Sequence, residues 1–345
     1  MENKAVMMKG IGSMEIVPLP MPVPKENEVL VKMEYVGICG SDVHYYEKGR
    51  IGDFIVEGDF ILGHECAGTV VAVGGAVRHL QAGDKVALEP GVTCGQCEFC
   101  KAGKYNLCPD VAFLATPPYH GCLMNYIAYP ANMAFKLPEN VSTKEGALVE
   151  PLAVGLHAAS QGGVRLGDKV AILGAGCIGL VTLLACKAYG ATEVYVVDVI
   201  GKRLECAQRL GASCVINAKE EDALEKIKEL TGGAGVDIVI ETAGSETTIR
   251  QTAYAVKRGG KIVLVGLAPK DIIAFDFMQI MWKEAEIKTV FRYRNLYPAA
   301  IGAIADGKID VQGIVTHEFD FADSKKAFDF VIENKNDVVK AVIKI

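Results

Sequence analysis

The residues best suited to chemistry lie between Gly37 and Glu65. This stretch offers a thiol at Cys39, an imidazole at His64 and a carboxylate at Glu65, and all three are ligand types that zinc accepts in proteins. The separation of Cys39 from His64 is too long for a small zinc knuckle, whose ligands come in close pairs. It suits a site assembled from separate loops, with one coordination position left open for water or substrate.

Three polar residues that follow Cys39 add weight to this interpretation. Ser41 and His44 could pass a proton, and Asp42 could accept a hydrogen bond from the far nitrogen of His64 and so orient the ring. The alternative interpretation is a buried thiol and a core histidine without a metal. The flanking residues favour a catalytic metal site.

A second group of thiols comprises Cys94, Cys97, Cys100 and Cys108. Four thiolates complete a tetrahedral zinc shell, and a closed shell of this kind is structural rather than catalytic. The chain has eleven cysteines, yet no signal-peptide hydrophobic region follows its N-terminus, so we expect a cytoplasmic protein whose clustered thiols bind metal rather than form disulfides. A zinc-ribbon nucleic-acid module would use the same ligands but would carry a basic patch, which this lobe lacks.

A glycine-rich motif indicates a dinucleotide site. The segment Gly174-Ala-Gly176-Cys-Ile-Gly179 follows an apolar strand pattern and opens an apolar helix. We expect Gly174 to make the tight turn, Gly176 to let the backbone approach a pyrophosphate, and Gly179 to permit close packing of helix on strand. Asp198 ends the next predicted strand, about 20 residues further on, where a dinucleotide-binding fold places its ribose-binding acid.

Asp198 predicts a preference for NAD over NADP. Its carboxylate would bind the ribose hydroxyls and repel a 2′-phosphate. Lys202 and Arg203 lie nearby and are interpreted as an exposed helix start, with Arg203 packing beside the adenine.

Hydrophobic patterning predicts two domains in the 345 residues. The first ~140 residues alternate in short β segments, whereas strands and helices alternate after Thr143, as in a six-stranded doubly wound parallel sheet. We expect domains at residues 1–150 and 151–285, with 286–345 returning to the first. Glu286–Tyr293 is predicted as a strand, and its end is polar.

Composition excludes several partners. The net charge is -6 and no long basic run exists, which argues against nucleic acid. Residues 170–186 form an uncharged run, but three glycines interrupt it, so a strand, turn and helix are favoured over a membrane span.

Taken together, these motifs resemble those of the zinc-dependent medium-chain alcohol dehydrogenase family over essentially the whole chain. The resemblance is greatest to the sorbitol (L-iditol) and xylitol dehydrogenase branch, and it is carried by Ser41–Gly52, Phe113–Pro118, Gly146–Pro151, Val265–Leu267 and Val290–Tyr293. It implies a GroES-like, mainly β catalytic domain and a Rossmann domain in an α/β fold. It also implies oxidation of a polyol to the 2-ketose with hydride transfer to NAD, and the reverse.

The resemblance also assigns residues to roles. The catalytic zinc would be bound by Cys39, His64 and Glu65, with Glu150 ligating it directly or through water. The proton would be relayed by Ser41 and His44. Substrate contacts would come from Tyr45, Phe113, Thr116, Glu150, Arg292 and Tyr293. The NAD site would comprise Gly174, Gly176, Ile178, Gly179, Asp198, Arg203, Val265, Gly266, Leu267, Val290, Phe291 and Arg292.

Two further expectations concern zinc content and assembly. Animal sorbitol dehydrogenases have generally lost the structural-zinc cysteines, whereas Cys94, Cys97, Cys100 and Cys108 are all present here, so we expect two zinc ions per chain. The family resemblance implies a homotetramer.

Two alternatives to a polyol dehydrogenase remain open at this point. One is another zinc secondary-alcohol dehydrogenase, acting on 2,3-butanediol or threonine, which would use nearly the same zinc chemistry. Tyr45, Arg292 and Tyr293 favour the polyol, because they offer polar contacts to a hydroxylated chain. The other is a non-catalytic NAD-binding relative, and the intact Cys39 and His64 count against it.

Overall fold

The computed structural model describes residues 2–268 and 270–345. The chain divides into two compact units. The first contains the residues up to Glu150 together with Tyr297–Gly307 and Val315–Ile345, and the second contains Pro151–Leu296 and Lys308–Ile314.

The first part of the chain is built mainly of short strands, and several of them, such as Glu65–Val73, are buried over most of their length. The strands are β1 (Asn3–Gly10), β2 (Ser13–Leu19), β3 (Glu28–Ile38), β4 (Arg50–Ile51), β5 (Phe54–Ile55), β6 (Phe60–Ile61), β7 (Glu65–Val73), β8 (Lys85–Leu88), β9 (Gly91–Val92), β10 (Ala112–Phe113), β11 (Tyr126–Pro130) and β12 (Ala134–Lys136). The helices are α1 (Gly40–Lys48), α2 (Glu98–Lys101), α3 (Thr143–Ala147) and α4 (Val149–Gly162), with 3-10 turns at Tyr105–Leu107 and Ala131–Met133.

The second unit follows the pattern of strand, helix, strand. Its strands are β13 (Lys169–Leu173), β14 (Glu193–Asp198), β15 (Cys214–Asn217), β16 (Val236–Glu241), β17 (Val256–Leu264) and β18 (Glu286–Thr289). The helices after α4 are α5 (Cys177–Ala188), α6 (Gly201–Arg209), α7 (Ala223–Leu230), α8 (Glu246–Ala255) and α9 (Phe277–Lys283). The chain then continues through α10 (Tyr297–Ala305), a 3-10 turn at Gln312–Ile314, β19 (Val315–Asp320), a 3-10 turn at Phe321–Asp323, α11 (Ser324–Glu333) and β20 (Lys340–Lys344).

A seven-stranded sheet organises the first unit. Its order is β12-β8-β7-β3-β20-β19, and β11 also pairs with β3. Three neighbouring strands are in register at one place, where Gly37 of β3 lies opposite Glu65 of β7 on one side and Val342 of β20 on the other. The C-terminal strand is therefore built into the same sheet as the segment that precedes Cys39.

A six-stranded parallel sheet organises the second unit. Its order is β15-β14-β13-β16-β17-β18, and all five of these pairings are parallel. The central strands are almost wholly buried, as in β13, because helices cover both faces of a parallel sheet. The predicted α/β fold with a six-stranded doubly wound sheet is confirmed.

Several local predictions were wrong. The strand predicted for Glu286–Tyr293 ends at Thr289, which pairs with Leu264 at the end of β17, and Arg292 then adopts a φ of 57°. Residues 286–296 belong to the second unit rather than returning to the first, since β18 pairs in parallel with β17. The helix α1 occupies the region of Ser41–Tyr46, where a short helix was possible although the sequence shows no clear helical period, and it ends at Gly49, which adopts a left-handed conformation.

Candidate active site and metal centres

The side chains of Cys39, His64 and Glu65 converge in the first unit. Their ligand atoms all lie within 4.8 Å of one another. Cys39 precedes the first turn of α1, His64 directly precedes β7, and Glu65 is the first residue of that strand. His64 and Glu65 are buried, and Cys39 is half-buried. One thiol, one imidazole and one carboxylate in this proximity are ligand types that zinc accepts, so these three residues fit a zinc ion.

Asp42 supports this cluster from α1. Its side chain is fully buried, with an exposed fraction of 0%. Oδ1 accepts a hydrogen bond of 2.9 Å from the backbone N–H of Gly63, Oδ2 accepts one of 3.1 Å from the N–H of Cys39, and Oδ1 lies 3.5 Å from Nδ1 of His64. Burial acts to raise the pKa of Asp42, but the attraction of His64 and these hydrogen bonds outweigh it and hold the pKa below its usual value.

The same contacts act on His64. Burial alone would lower the pKa of the imidazole, but the charges of Asp42 and Cys39 raise it well above its ordinary value. A metal ion bound by the imidazole would occupy the place that this environment offers to a proton. The surroundings of His64 therefore favour a positive charge at its imidazole.

The four clustered cysteines also converge, with ligand atoms within 4.8 Å of one another. Cys97 caps α2 and accepts a hydrogen bond from the N–H of Cys100. The N–H groups of Gln96 and Cys97 lower the pKa of Cys94 to about 7. The N–H of Cys100 acts to lower the pKa of Cys97, but burial and the neighbouring thiols raise it to about 11. A bound cation would therefore be needed to keep all four sulfurs ionised, as in a structural zinc site.

The remaining proposed residues of the first unit differ in their exposure. His44 is exposed on α1, Ser41 and Thr116 are half-buried, and Tyr45 and Glu150 are buried. Phe113 is buried in β10, and its ring centroid lies 5.7 Å from that of His64. The structure thus brings Phe113 to the cluster, and Glu150 lies in the first turn of α4.

The glycine motif adopts the geometry of a dinucleotide loop. Gly174 follows β13 with a φ of 111°, a conformation that glycine adopts without strain. Gly176 is the N-cap residue of α5 and leaves the N-terminus of the helix without a side-chain cap. A Cβ at this position would meet open space. A Cβ at Gly179 would collide with the carbonyl oxygen of Gly174, so Gly179 allows the helix to pack against the turn.

Asp198 sits at the end of β14 beside this loop. Its Oδ2 accepts a hydrogen bond of 2.6 Å from the N–H of Ala175, and its Oδ1 accepts bonds of 2.7 Å from Val199 and 2.9 Å from Ile200. These bonds fix the carboxylate at the carboxyl edge of the parallel sheet, where open α/β sheets bind ligands. Arg203 is half-buried in the first turn of α6.

The proposed NAD residues at 265–267 and 290–292 lie at the ends of neighbouring strands. The N–H groups of Val265 and Gly266 donate to the carbonyl oxygen of Glu241 at 2.9 and 3.1 Å, and that of Val290 donates to the carbonyl oxygen of Leu264 at 2.9 Å. Leu267 and Phe291 are exposed.

The guanidinium carbon of Arg292 lies 4.8 Å from the centroid of the Phe291 ring, in a cation–π contact. Tyr293 is buried. The strand end that was predicted to be polar is therefore a turn that holds an arginine against an aromatic ring.

Glu241 is a buried residue of the dinucleotide domain for which no role was predicted. Its side chain is fully buried, and Oε1 accepts hydrogen bonds from the N–H groups of Ala243 and Gly244 at 2.9 and 2.8 Å and from the hydroxyl of Thr248 at 2.7 Å. It holds the turn that follows β16. An acidic residue ending an apolar strand was the available signal.

Comparison with known proteins gives two family matches. The model described as "Alcohol dehydrogenase GroES-like domain" matches residues 25–139, and "Zinc-binding dehydrogenase" matches residues 177–306. A zinc-type alcohol dehydrogenase-like protein of Escherichia coli is 53% identical over 100% of this chain and 99% of its own length. A sorbitol dehydrogenase of Bos taurus is 46% identical over 95% of this chain and 92% of its own.

A solved structure gives the same result. An Escherichia coli oxidoreductase/dehydrogenase of unknown specificity superposes with a TM-score of 0.97 at 52% identity, covering 100% of this chain and 99% of that one. In the part of the chain that the structure describes, no helix has the length and apolar character needed to cross a bilayer. The chain belongs to the zinc-binding alcohol dehydrogenase family, whose members pair a GroES-like domain with a Rossmann-type NAD-binding domain.

Proposed function

We propose that the protein is an NAD-dependent zinc polyol dehydrogenase, which oxidises a polyol of the sorbitol, xylitol or L-iditol type to the 2-ketose and catalyses the reverse reaction. The observation that carries the proposal is the convergence of Cys39, His64 and Glu65 within 4.8 Å in a chain that also holds a dinucleotide loop. The similarity to sorbitol dehydrogenases supports the choice of a polyol.

The residues of the chain have separate roles in this reaction. When bound, zinc supplies a Lewis acid for the substrate oxygen and NAD supplies the hydride acceptor. Ser41 and His44 are three residues apart on helix α1, and His44 is exposed to solvent. Ser41 and His44 would take part in relaying the proton that leaves the substrate hydroxyl, and the exposed His44 would pass it to water.

The proposed substrate contacts favour a chain with several hydroxyls. Tyr45 and Tyr293 are buried phenols, and Glu150, Arg292 and Thr116 add a carboxylate, a guanidinium and a hydroxyl. A site with buried polar groups discriminates against substrates that lack hydroxyls, because its own groups then lose their partners. Phe113 completes the set as an apolar wall beside His64.

Asp198 supports NAD as the cofactor. Its carboxylate is fixed by three backbone N–H groups, so its negative charge stays where a 2′-phosphate would have to sit. Ile178 and Arg203, together with the backbone at 265–267 and 290–292, complete the proposed NAD contacts. The four-cysteine lobe would hold a second, structural zinc.

We also propose a cytoplasmic homotetramer. Among the described residues β18 pairs with β17 on one side only, and large apolar side chains are exposed nearby, namely Phe277, Met281, Trp282 and Ile287. An unpaired edge strand with an apolar surface beside it is a ready surface for a second copy. Light scattering of the purified protein measures this: a tetramer mass supports the proposal and a monomer contradicts it.

The reaction is tested by initial rates of NADH formation. We would assay sorbitol, xylitol, L-iditol, galactitol, 2,3-butanediol and threonine, each with NAD and with NADP, before and after chelation of zinc. Chelator-sensitive turnover of a polyol with NAD is expected. Turnover of butanediol or threonine alone would leave the zinc chemistry in place and overturn the polyol assignment.

A matched variant separates chemistry from folding. Cys39→Ser should abolish turnover while circular dichroism and NAD binding stay as in the wild type, because the substitution alters one metal ligand and little volume. Wild-type turnover by this variant would contradict the zinc mechanism.

A further inference from the structure

A buried lysine from the C-terminal strand reaches the proposed catalytic metal centre. Lys340 is the first residue of β20, and only 2% of its surface is exposed. Its ammonium group forms an ion pair with Oε2 of Glu65 and donates a hydrogen bond of 3.0 Å to the carbonyl oxygen of Ile38. It therefore contacts both segments that supply metal ligands, since Ile38 directly precedes Cys39.

The sheet register explains how Glu65 reaches this lysine. Glu65 is on β7, Lys340 is on β20, and β3 runs between these two strands. Gly37 lies opposite Glu65 across the β3–β7 ladder, and a Cβ at Gly37 would collide with Oε2 of Glu65. The carboxylate can cross β3 toward β20 because Gly37 has no side chain.

Charge explains why a lysine is tolerated there. Burying an ammonium group is costly unless an anion and further hydrogen bonds compensate it. The ammonium group of Lys340 is paired with the buried carboxylate of Glu65, whose ligand atom lies within 4.8 Å of those of Cys39 and His64. The carboxylate of Glu65 compensates the charge of Lys340, and the carbonyl oxygen of Ile38 accepts a further hydrogen bond from it.

We propose that Lys340 is a positioning residue for the catalytic zinc, which holds Oε2 of Glu65 so that Oε1 is presented to the metal together with Cys39 and His64. This inference rests on the zinc site of the proposed function. Partners that orient the ligands of a metal typically change its affinity by about 10- to 100-fold. Asp42 orients His64 in this way, and Lys340 orients Glu65.

Zinc retention by a set of variants tests the proposal without relying on turnover. Lys340→Met keeps most of the length of the side chain and removes its charge, Lys340→Arg keeps the charge, and Lys344→Met removes an exposed lysine from the same strand. Each protein is equilibrated in chelator-buffered zinc, and bound zinc per chain is measured by mass spectrometry. The number of thiols that react with a thiol reagent tells which site has emptied, since the lobe holds four cysteines and the other cluster one.

Lys340→Met should bind the catalytic zinc about 10- to 100-fold more weakly, with the lobe still occupied, while Lys340→Arg recovers most of the affinity and Lys344→Met equals the wild type. Equal or tighter binding by Lys340→Met would overturn the proposal. A wild type that holds zinc in the lobe alone would instead overturn the proposed function, so the two failures are distinguishable.

Two further variants keep the test valid if Lys340→Met folds poorly. In a Glu65→Gln background, Lys340→Met should cause no additional loss of zinc, because the carboxylate through which it acts is already neutral; an additional loss of the full size would overturn the proposal. Gly37→Ala should weaken zinc binding with both charged residues intact, since the new methyl group displaces Oε2 of Glu65. Unchanged zinc affinity of folded Gly37→Ala would contradict the proposed geometry.

Discussion

Oδ1 of Asp42 lies 3.5 Å from Nδ1 of His64, and both residues are buried. The same carboxylate accepts hydrogen bonds from the N–H groups of Gly63 and Cys39. One buried side chain thus ties together the two chain segments that carry the thiol and the imidazole. Metal-ligating histidines are commonly oriented through their other ring nitrogen in this way.

Neutralising Asp42 should therefore weaken the catalytic zinc. Asp42→Asn keeps the size of the side chain but removes the charge that favours the zinc-bound imidazole, and we expect about 10- to 100-fold weaker binding, measured by the rate of zinc transfer to a coloured chelator. Asp59→Asn is the control, because Asp59 pairs with Lys9 at the surface. Equal transfer rates for the wild type and Asp42→Asn would contradict an orienting role.

The sequence predicted the dinucleotide domain well, because its signals are local. The strand before Gly174, the glycine turn and the acid at Asp198 follow one another within a single strand–helix–strand unit. Parallel strands are buried on both faces and so appear as short apolar runs, which made the six-stranded sheet predictable.

Other features depended on contacts that are distant in sequence. Lys340 pairs with Glu65 only because β20 lies beside β3, and that pairing has no local signal. The helix α1 is short and buries Asp42 with Tyr45 and Tyr46, so its buried face is partly polar and shows no apolar period. The end of β18 coincides with the end of its partner strand β17 at Leu264, and that pairing has no local signal in the sequence.

Asp198 should control the choice of cofactor. Asp198→Ala removes the acceptor for the ribose hydroxyls and the charge that repels a 2′-phosphate, so NAD binding should weaken by about 10-fold or more, a cost of about 1.4 kcal/mol, while NADP binding changes less. Fluorescence titration of both cofactors gives the two dissociation constants.

Asp198→Asn separates charge from hydrogen bonding in the same assay. It retains an oxygen for the N–H of Ala175 and loses only the charge, so it should improve NADP binding relative to NAD. If the ratio of the two constants stays at the wild-type value in both variants, Asp198 is not the ribose acid.

The four-cysteine lobe should stabilise its own segment independently of the catalytic site. Cys100→Ser removes one thiolate from the cluster that includes Cys94 and Cys97, and a structural zinc contributes folding energy directly. We expect the melting temperature to fall by at least about 4 °C, with protease cleavage appearing between residues 94 and 108.

Cys214→Ser is the matched control for that variant. Cys214 is a single half-buried thiol in β15, so its replacement should leave both zinc content and melting temperature close to the wild type. A Cys100→Ser protein that keeps its full zinc content would show that the lobe does not bind metal.

Glu89 should make the folded protein less stable as the pH rises. Its side chain is 3% exposed, and burial raises its pKa to about 7 although the hydroxyl of Tyr105 donates a 2.7 Å hydrogen bond to Oε1. The unfolded chain releases this proton near pH 4.5, whereas the folded protein keeps it to about pH 7. Folding therefore loses stability between these two values, by up to about 3 kcal/mol.

Glu89→Gln removes this titration and keeps an oxygen for Tyr105. The variant should match the wild type below pH 4.5 and become progressively more stable than it up to about pH 7, with a constant advantage at higher pH. Thermal unfolding of both proteins across this range measures the difference, and any loss of zinc in acid affects both alike. Tyr105→Phe should raise the pKa of Glu89 in the folded protein further above its value in the unfolded chain, because it removes the hydrogen bond that lowers this pKa. Parallel pH profiles for the wild type and Glu89→Gln would show that the carboxyl does not titrate in this range.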